Sequence, residues 1–264
     1  MINKLLGPLL AKLPENNILE RIWILAKTDF KKRYYGTSLG IIWALINPLS
    51  QIIIYYYIFA ILFKTDIPNF SLYLFSGLIF WMFFVESTNK GLNTFPSYRA
   101  ILDSIKINKF NVIYSNIISG LFTLLFNSLV FSIVAIFFDL PITKNLLFLP
   151  LIIINLIILV LGVNLILSVL HLYLRDFQHF WDIFTMAVFW INPIVYSEQL
   201  IYDQKVILFL NPIAGMIINM HNAVIFGKSM DFTLLIWDLL FAFIVLLIGI
   251  IVFNKYSKKA LEII

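Results

Sequence analysis

The chain has 264 residues, of which 61% are hydrophobic, 17% aromatic and 12% charged, with 19 basic against 14 acidic side chains and a net charge of +5. A soluble domain is roughly 45–50% apolar and about 25% charged, so this composition excludes that class, and six spans of about 20 residues leave no room for a separate catalytic domain. There is no cysteine, which removes disulfides, thiolate metal sites and a cysteine nucleophile.

The first 15 residues lack a convincing apolar h-region, so no cleavable signal peptide is expected. From Ile18 to Phe30 the apolar positions Ile18, Leu19, Ile22, Trp23, Leu25, Ala26 and Phe30 recur at helical spacing, with Glu20, Arg21, Lys27, Asp29 and Lys31 between them. This predicts an amphipathic helix over 15–35 lying in the membrane interface, or packed on a soluble partner, or both. Apolar runs then predict spans at 41–63, 70–88, 112–138 and 146–172, and a last one at 232–254 ahead of a basic tail. A polar stretch follows the second span, and within it residues 95–107 read as a cytoplasmic loop in which Pro96 can start a short helix.

Between the fourth and last spans the pattern is broken. Residues 180–196 form an apolar segment whose fourteenth residue is already Pro193, and 206–218 is interrupted by Asn211 and Pro212. The expected reading is a crossing helix followed by re-entrant half-helices over 197–229, because irregular backbone at membrane depth has to be buried in protein or line a wet cavity. With six crossings and the N-terminus inside, Lys and Arg divide 15 inside to 4 outside. That asymmetry predicts both termini in the cytoplasm.

Little points to chemistry. Gly227-Lys228-Ser229 imitates the end of a phosphate-binding loop, but the position that should hold the first glycine is Asn222. Glu86, Asp182 and Asp238 lie in or at the edge of apolar segments, where ionisable groups usually face a polar path or a partner, and none is paired with a histidine at recognisable spacing. Tyr55, Tyr56, Tyr57 and Phe59 in the first span and Trp81 in the second are candidates for lining a sugar channel; helix packing and lipid contact would use the same residues.

Three ordered motifs carry a family resemblance. The first is Thr28-Asp29-Phe30-Lys31-Lys32-Arg33-Tyr34-Tyr35-Gly36, continuing to Trp43 and Asn47-Pro48-Leu49. The second is Leu174-Arg175-Asp176, followed by Phe189-Trp190-Ile191-Asn192-Pro193-Ile194-Val195-Tyr196. The third is Asn211-Pro212-Ile213-Ala214-Gly215. With the six-span layout they resemble the permease subunits of type-2 ABC exporters for polysaccharides, which move lipid-linked O-antigen, capsular polysaccharide or teichoic acid. The chain departs from that pattern at Asn192, where Ser or Thr is commoner, and at Ile218 and His221, where members often carry Glu and Arg.

The resemblance implies an all-α integral membrane fold in a bacterial cytoplasmic membrane, a homodimer, and two cytoplasmic ATPase subunits that hold the ATP and Mg; this chain would bind no cofactor or metal and be no enzyme itself. On that reading Lys31, Lys32, Arg33 and Tyr34 form the substrate entrance, and Trp190 joins the channel candidates. Trp23, Asp29, Pro96, Tyr98, Arg99, Ile101 and Leu102 couple to the ATPase, while Asn192, Pro193, Tyr196, Asn211 and Pro212 form the external gate. The rival readings are a type-2 permease for a drug or lipid, and an integral membrane transferase acting on a lipid-linked sugar, which would need a clustered acid/base or metal set.

Overall fold

The computed structural model describes residues 17–34, 38–104, 108–138, 140 and 142–261, and the regular structure among them is entirely helical. Helix α1 (Ile18–Tyr34) starts where the Asn17 side chain accepts from the Glu20 N–H at 3.3 Å. It buries Ile22, Leu25 and Ala26 of the expected apolar face, but leaves Ile18, Leu19 and Trp23 of that same set exposed. Its partner is α5 (Lys109–Phe137), where Phe122 makes T-shaped contacts with Trp23 and Phe30 at ring-centroid distances of 5.3 and 5.6 Å.

The first apolar run is helical throughout but not uniform. A 3₁₀ turn (Gly40–Ile42) leads into α2 (Trp43–Tyr56), and the last stretch, Tyr57–Leu62, widens into a π-helix closed by Phe63 N–H to the Ile58 carbonyl at 3.0 Å. Pro48 falls inside α2, where it removes one backbone donor.

Helix α3 (Phe70–Leu92) is the central element, with Tyr73, Leu74 and Leu78 fully buried. It is followed at once by α4 (Thr94–Ser104). The stretch expected as a loop from residue 95 is therefore largely helical and begins two residues before Pro96, a position within the first turn where a missing N–H costs nothing. Asn108 caps α5 by accepting from Phe110 N–H at 3.1 Å. A 3₁₀ turn (Lys144–Phe148) then leads into α6 (Leu149–Tyr173), which carries Pro150 in its first turn.

The fifth apolar segment differs from its expected bounds of 180–196. Helix α7 (Phe177–Ile191) starts earlier and stops before Asn192, because Pro193 biases the residue ahead of it away from helix. Its 15 residues rise roughly 22 Å, short of the ~30 Å hydrocarbon core. Next come two short helices, α8 (Gln199–Tyr202) and α9 (Lys205–Leu210), then α10 (Pro212–Val224) with proline at its first position. The last helix, α11 (Phe232–Leu261), is capped by Asp231, whose Oδ1 accepts from Thr233 and Leu234 N–H at 2.9 and 3.2 Å.

Four stretches among the described residues are long and apolar enough to cross a membrane: Phe70–Leu92, Lys109–Phe137, Lys144–Tyr173 and Phe232–Ser257. Leu49–Leu62 is apolar but shorter. Helices α6 and α11 pack closely: a Cβ on Gly162 would lie 2.6 Å from the Leu246 nitrogen, and one on Gly249 would lie 2.5 Å from the Gly162 carbonyl. Only glycine at both positions lets the two backbones touch.

Candidate functional site

Helix α7 runs antiparallel to α3. Trp181 Nε1 donates to Thr88 Oγ1 at 3.1 Å, Phe189 packs on Trp81 at 5.9 Å, and beyond the helix the Tyr73 hydroxyl lies 2.9 Å from the carbonyls of both Pro193 and Tyr196. The irregular segment after α7 therefore sits over the start of α3, at the end opposite α4. Carbonyls beyond a helix end need donors when buried, and Tyr73 supplies one.

The two Asn-Pro motifs meet there. Asn192 is fully buried; its Nδ2 donates back to the Val188 carbonyl at 2.8 Å, and its Oδ1 accepts from Asn211 Nδ2 at 3.0 Å. One asparagine thus ends α7 and holds the residue that starts α10. Pro193 and Pro212 are both buried beside this link, and Tyr196 is half-buried with its hydroxyl donating to the Trp190 carbonyl at 3.0 Å.

Helix α10 is buried along its whole length. His221 stacks on Tyr73 at 3.7 Å between ring centroids, and its Nε2 lies 3.0 Å from the Tyr73 carbonyl. Asn219 exchanges two hydrogen bonds with the Asp231 backbone, at 3.1 and 2.7 Å. Gly215 faces Asp238 of α11 so closely that a Cβ would stand 2.3 Å from a carboxylate oxygen, so the glycine of the third motif is the space that Asp238 occupies. Above these residues, burial pushes the Glu198 carboxyl up from its usual range against the opposing pull of Lys228, and burial with Asp231 and Glu198 nearby pushes the Tyr202 phenol up to about 12.

The channel candidates divide into two groups. Trp81 is 7% exposed and packs on Phe84 and Phe189 inside the protomer, and Tyr55 stacks on Phe189 at 5.7 Å. Tyr56, Tyr57 and Trp190 are exposed, with Tyr56 stacked on Phe70; Phe59 is half-buried against Phe63. The buried tryptophan is explained by packing, the reading its residue type left open.

At the opposite end, two of the expected coupling residues hold each other. Tyr98 of α4 is buried and donates a hydrogen bond to the Asp29 carboxylate of α1. Burial, with the Asp29 charge beside it, holds the Tyr98 phenol well above its ordinary range, so it remains a donor. Pro96 and Arg99 are exposed, Trp23 is exposed beside Phe122, and Leu102 is half-buried against the core; the Ile101 side chain lies outside the described residues. Lys31 and Lys32 are exposed on α1, while the side chains of Arg33 and Tyr34 also lie outside the described residues. Lys32 lines a polar cavity of about 630 Å³ between α1, α3, α4 and α5 with Asp29, Glu86, Asn89, Lys90 and Tyr98. In it Lys90 pairs with Glu86 at 3.4 Å and donates to Ser119 at 2.9 Å. Among the described residues no three His, Asp or Glu side chains converge as metal ligands.

The profile of one membrane-protein family, ABC-2 type transporter, matches residues 20–225, from the start of α1 to just past the end of α10. The chain belongs to the ABC-2 type transporter family. This ABC-2 chain is similar over 94% of its length to two O-antigen export system permease proteins RfbA of Klebsiella pneumoniae, each 27% identical and covered over 96% of its own length. The O-antigen export system permease protein RfbA of Myxococcus xanthus is 23% identical over 73% of the chain and 75% of that protein.

Sequence reading of this ABC-2 chain singled out Asn192 and Asn211, which the structure joins by a hydrogen bond, but missed Tyr73 and undervalued His221. Their pairing joins residues 148 positions apart. Nothing local marks it beyond the presence of one histidine in an apolar stretch.

Proposed function

We propose that this chain is the membrane-spanning permease subunit of an ATP-driven exporter of lipid-linked polysaccharide, O-antigen foremost, with capsular polysaccharide or teichoic acid as the related cargoes. The observation that carries the reading is the nearly end-to-end similarity to O-antigen export permeases. A family whose members share a domain but differ in cargo would not by itself favour a glycan over a drug or lipid.

In this proposal the chain forms a homodimer in the bacterial cytoplasmic membrane with both termini inside. It crosses six times, the incomplete first and fifth crossings being α2 with its π-helical end and α7 with the segment around Pro193. ATP is hydrolysed on two separate ATPase subunits that dock against α1 and α4. Lys31, Lys32 and Arg33 attract the phosphate or pyrophosphate linkage of the substrate at the cytoplasmic leaflet. The glycan passes along exposed aromatic surfaces such as Tyr57 and Trp190, and the linked Asn-Pro elements close the external end. ATP binding shifts the dimer between open and closed forms through contacts that differ between them.

The test is purification of the chain with its ATPase, reconstitution in liposomes, and assay of ATP hydrolysis with and without lipid-linked glycan. Stimulation by the glycan is expected; stimulation by drugs or simple lipids alone would replace the cargo, and a chain that binds no ATPase would remove the proposal. Neutralising Lys31, Lys32 and Arg33 together is expected to reduce surface glycan while leaving assembly intact.

A further inference from the structure

Helix α3 turns Tyr73 and Trp81 toward α7 and the segment that follows it, and a different flank, Ser76, Ile79 and Phe80, toward an apolar cavity of about 410 Å³. The other walls come from α5, the 3₁₀ turn at Lys144–Phe148, α6 and α10. Ser76, Ile79, Phe80, Met220 and Val224 are buried, whereas Ser132, Ile136 and Ile142 are exposed at the rim. The cavity is therefore deep against α3 and α10 and opens between the end of α5 and the start of α6. Both of those helices lie in stretches long and apolar enough to cross a membrane, so the mouth meets hydrocarbon rather than water.

Voids larger than a water molecule are few in protein interiors, and an apolar one stays dry. The hydroxyls of Ser76 and Ser132 donate to the Tyr73 and Ser128 carbonyls of their own helices at 2.9 and 2.8 Å, so these walls offer a ligand dispersion contact rather than polar grip. A helix about 10 Å across would fit only about one turn into that volume, which favours a thinner and more flexible occupant. The rim also carries a charge. Lys144 is exposed at the start of the 3₁₀ turn, between Ile142 and Leu146, both of which line the cavity. A cation at the edge of an apolar cleft between two spans matches an amphiphile with an anionic head, and phospholipid is the one a membrane supplies in bulk.

We propose that the cavity and Lys144 together form a binding site for a membrane phospholipid, its phosphate at Lys144 and one acyl chain passing between α5 and α6 to reach Met220 and Val224. The seated chain braces α10. The residue after Met220 is His221, which stacks on Tyr73, and Asn145 of the same 3₁₀ turn donates to the Gly227 carbonyl just past α10 at 3.0 Å. Placing the lipid in the external leaflet, and its brace behind the external gate, rests on the proposed function; the binding of the lipid does not.

The experiment places the full chain with its ATPase in nanodiscs containing a phosphatidylglycerol whose acyl chain ends in a diazirine, and maps the photo-adducts by peptide mass spectrometry. Adducts on the peptide bearing Met220 are expected in the wild type. At least fivefold fewer are expected in Ala135→Phe, which fills the cavity, and at least threefold fewer in Lys144→Glu, with Lys144→Arg close to wild type. Melting temperature and monodisperse elution check folding, and Ser132→Phe at the exposed rim replaces Ala135→Phe if that variant fails. Absence of Met220 adducts in the wild type, or equal yields in the wild type and the filled variant, overturns the site. Displacement of the photolipid by polyprenyl phosphate but not by unlabelled phosphatidylglycerol also overturns it, assigning the cavity to the tail of the substrate. The full chain alone in nanodiscs serves the same assay, so failure to bind any ATPase defeats the proposed function while the adducts still decide the lipid site.

Discussion

The Tyr98 hydroxyl of α4 donates a hydrogen bond to the Asp29 carboxylate of α1, fastening the amphipathic helix to the helix that follows the central span. A hydrogen bond to a charged group contributes about 1.5–3 kcal/mol, and removing the donor leaves a partly buried carboxylate unanswered. Tyr98→Phe is expected to lower the melting temperature of the purified complex and to weaken the coupling of ATP hydrolysis to export. Asp29→Asn keeps an oxygen acceptor and should cost less. Equal melting shifts for the two variants would contradict this account.

The Asn192–Asn211 link should behave as a latch at the external end. The chain has no cysteine, so Asn192→Cys with Asn211→Cys introduces the sole thiol pair. A short crosslinker with two thiol-reactive maleimide groups is expected to stop export in the double variant and spare either single one. Crosslinked protein that exports at the rate of the uncrosslinked form would show that these elements do not separate during transport.

Aromatic residues of this chain are expected to fall into two functional classes according to burial. Trp81→Ala removes a buried side chain and should cost about 3–5 kcal/mol of stability. Tyr57→Ala and Trp190→Ala remove exposed rings and should leave the melting temperature nearly unchanged while reducing glycan flux. Thermal melts and export assays on the same preparations test this; a Trp81 variant of normal stability and low flux would return that residue to the channel.

Glu198 gives the external region a defined pH response. Burial raises its carboxyl pKa, with Lys228 opposing, so between the unfolded and folded pKa values the folded chain binds more protons than the unfolded chain. Its stabilising contribution is complete below the ordinary carboxylate pKa of about 4.5, and is lost as pH rises through the higher folded value. Glu198→Gln is expected to flatten the melting temperature over that window and to raise it on the alkaline side. An unchanged pH profile would mean that the carboxylate stays ionised where it sits.

Much of the architecture could be read from local signals. The apolar runs located the long helices, and Asn192-Pro193 and Asn211-Pro212 marked where helices stop, because proline limits the residue before it and lacks an N–H, whereas Asn47-Pro48 lies within α2. Pro96 misplaced the start of α4 by two residues, since a first turn tolerates proline at more than one position. Trp81 was ambiguous because a channel and a core ask for the same ring. Tyr73 and His221 were illegible for a different reason: their stacking exists only after α3 and α10 have packed, and neither residue has a neighbour in sequence that announces it.

The glycine contact between α6 and α11 sets which parts of the chain can serve as moving parts. Two helices whose backbones touch at Gly162 and Gly249 have no side-chain layer to slide on, so in the proposed exporter they would be the stator. Helix α7, seated on α3 through Trp181 and Phe189, and α2, seated through stacked rings at Tyr55 and Tyr56, have only side chains between them and their neighbours. Those contacts can be exchanged one ring for another. In the proposed transport cycle, therefore, the two aromatic-faced helices would be the shutter and the glycine-joined pair its frame.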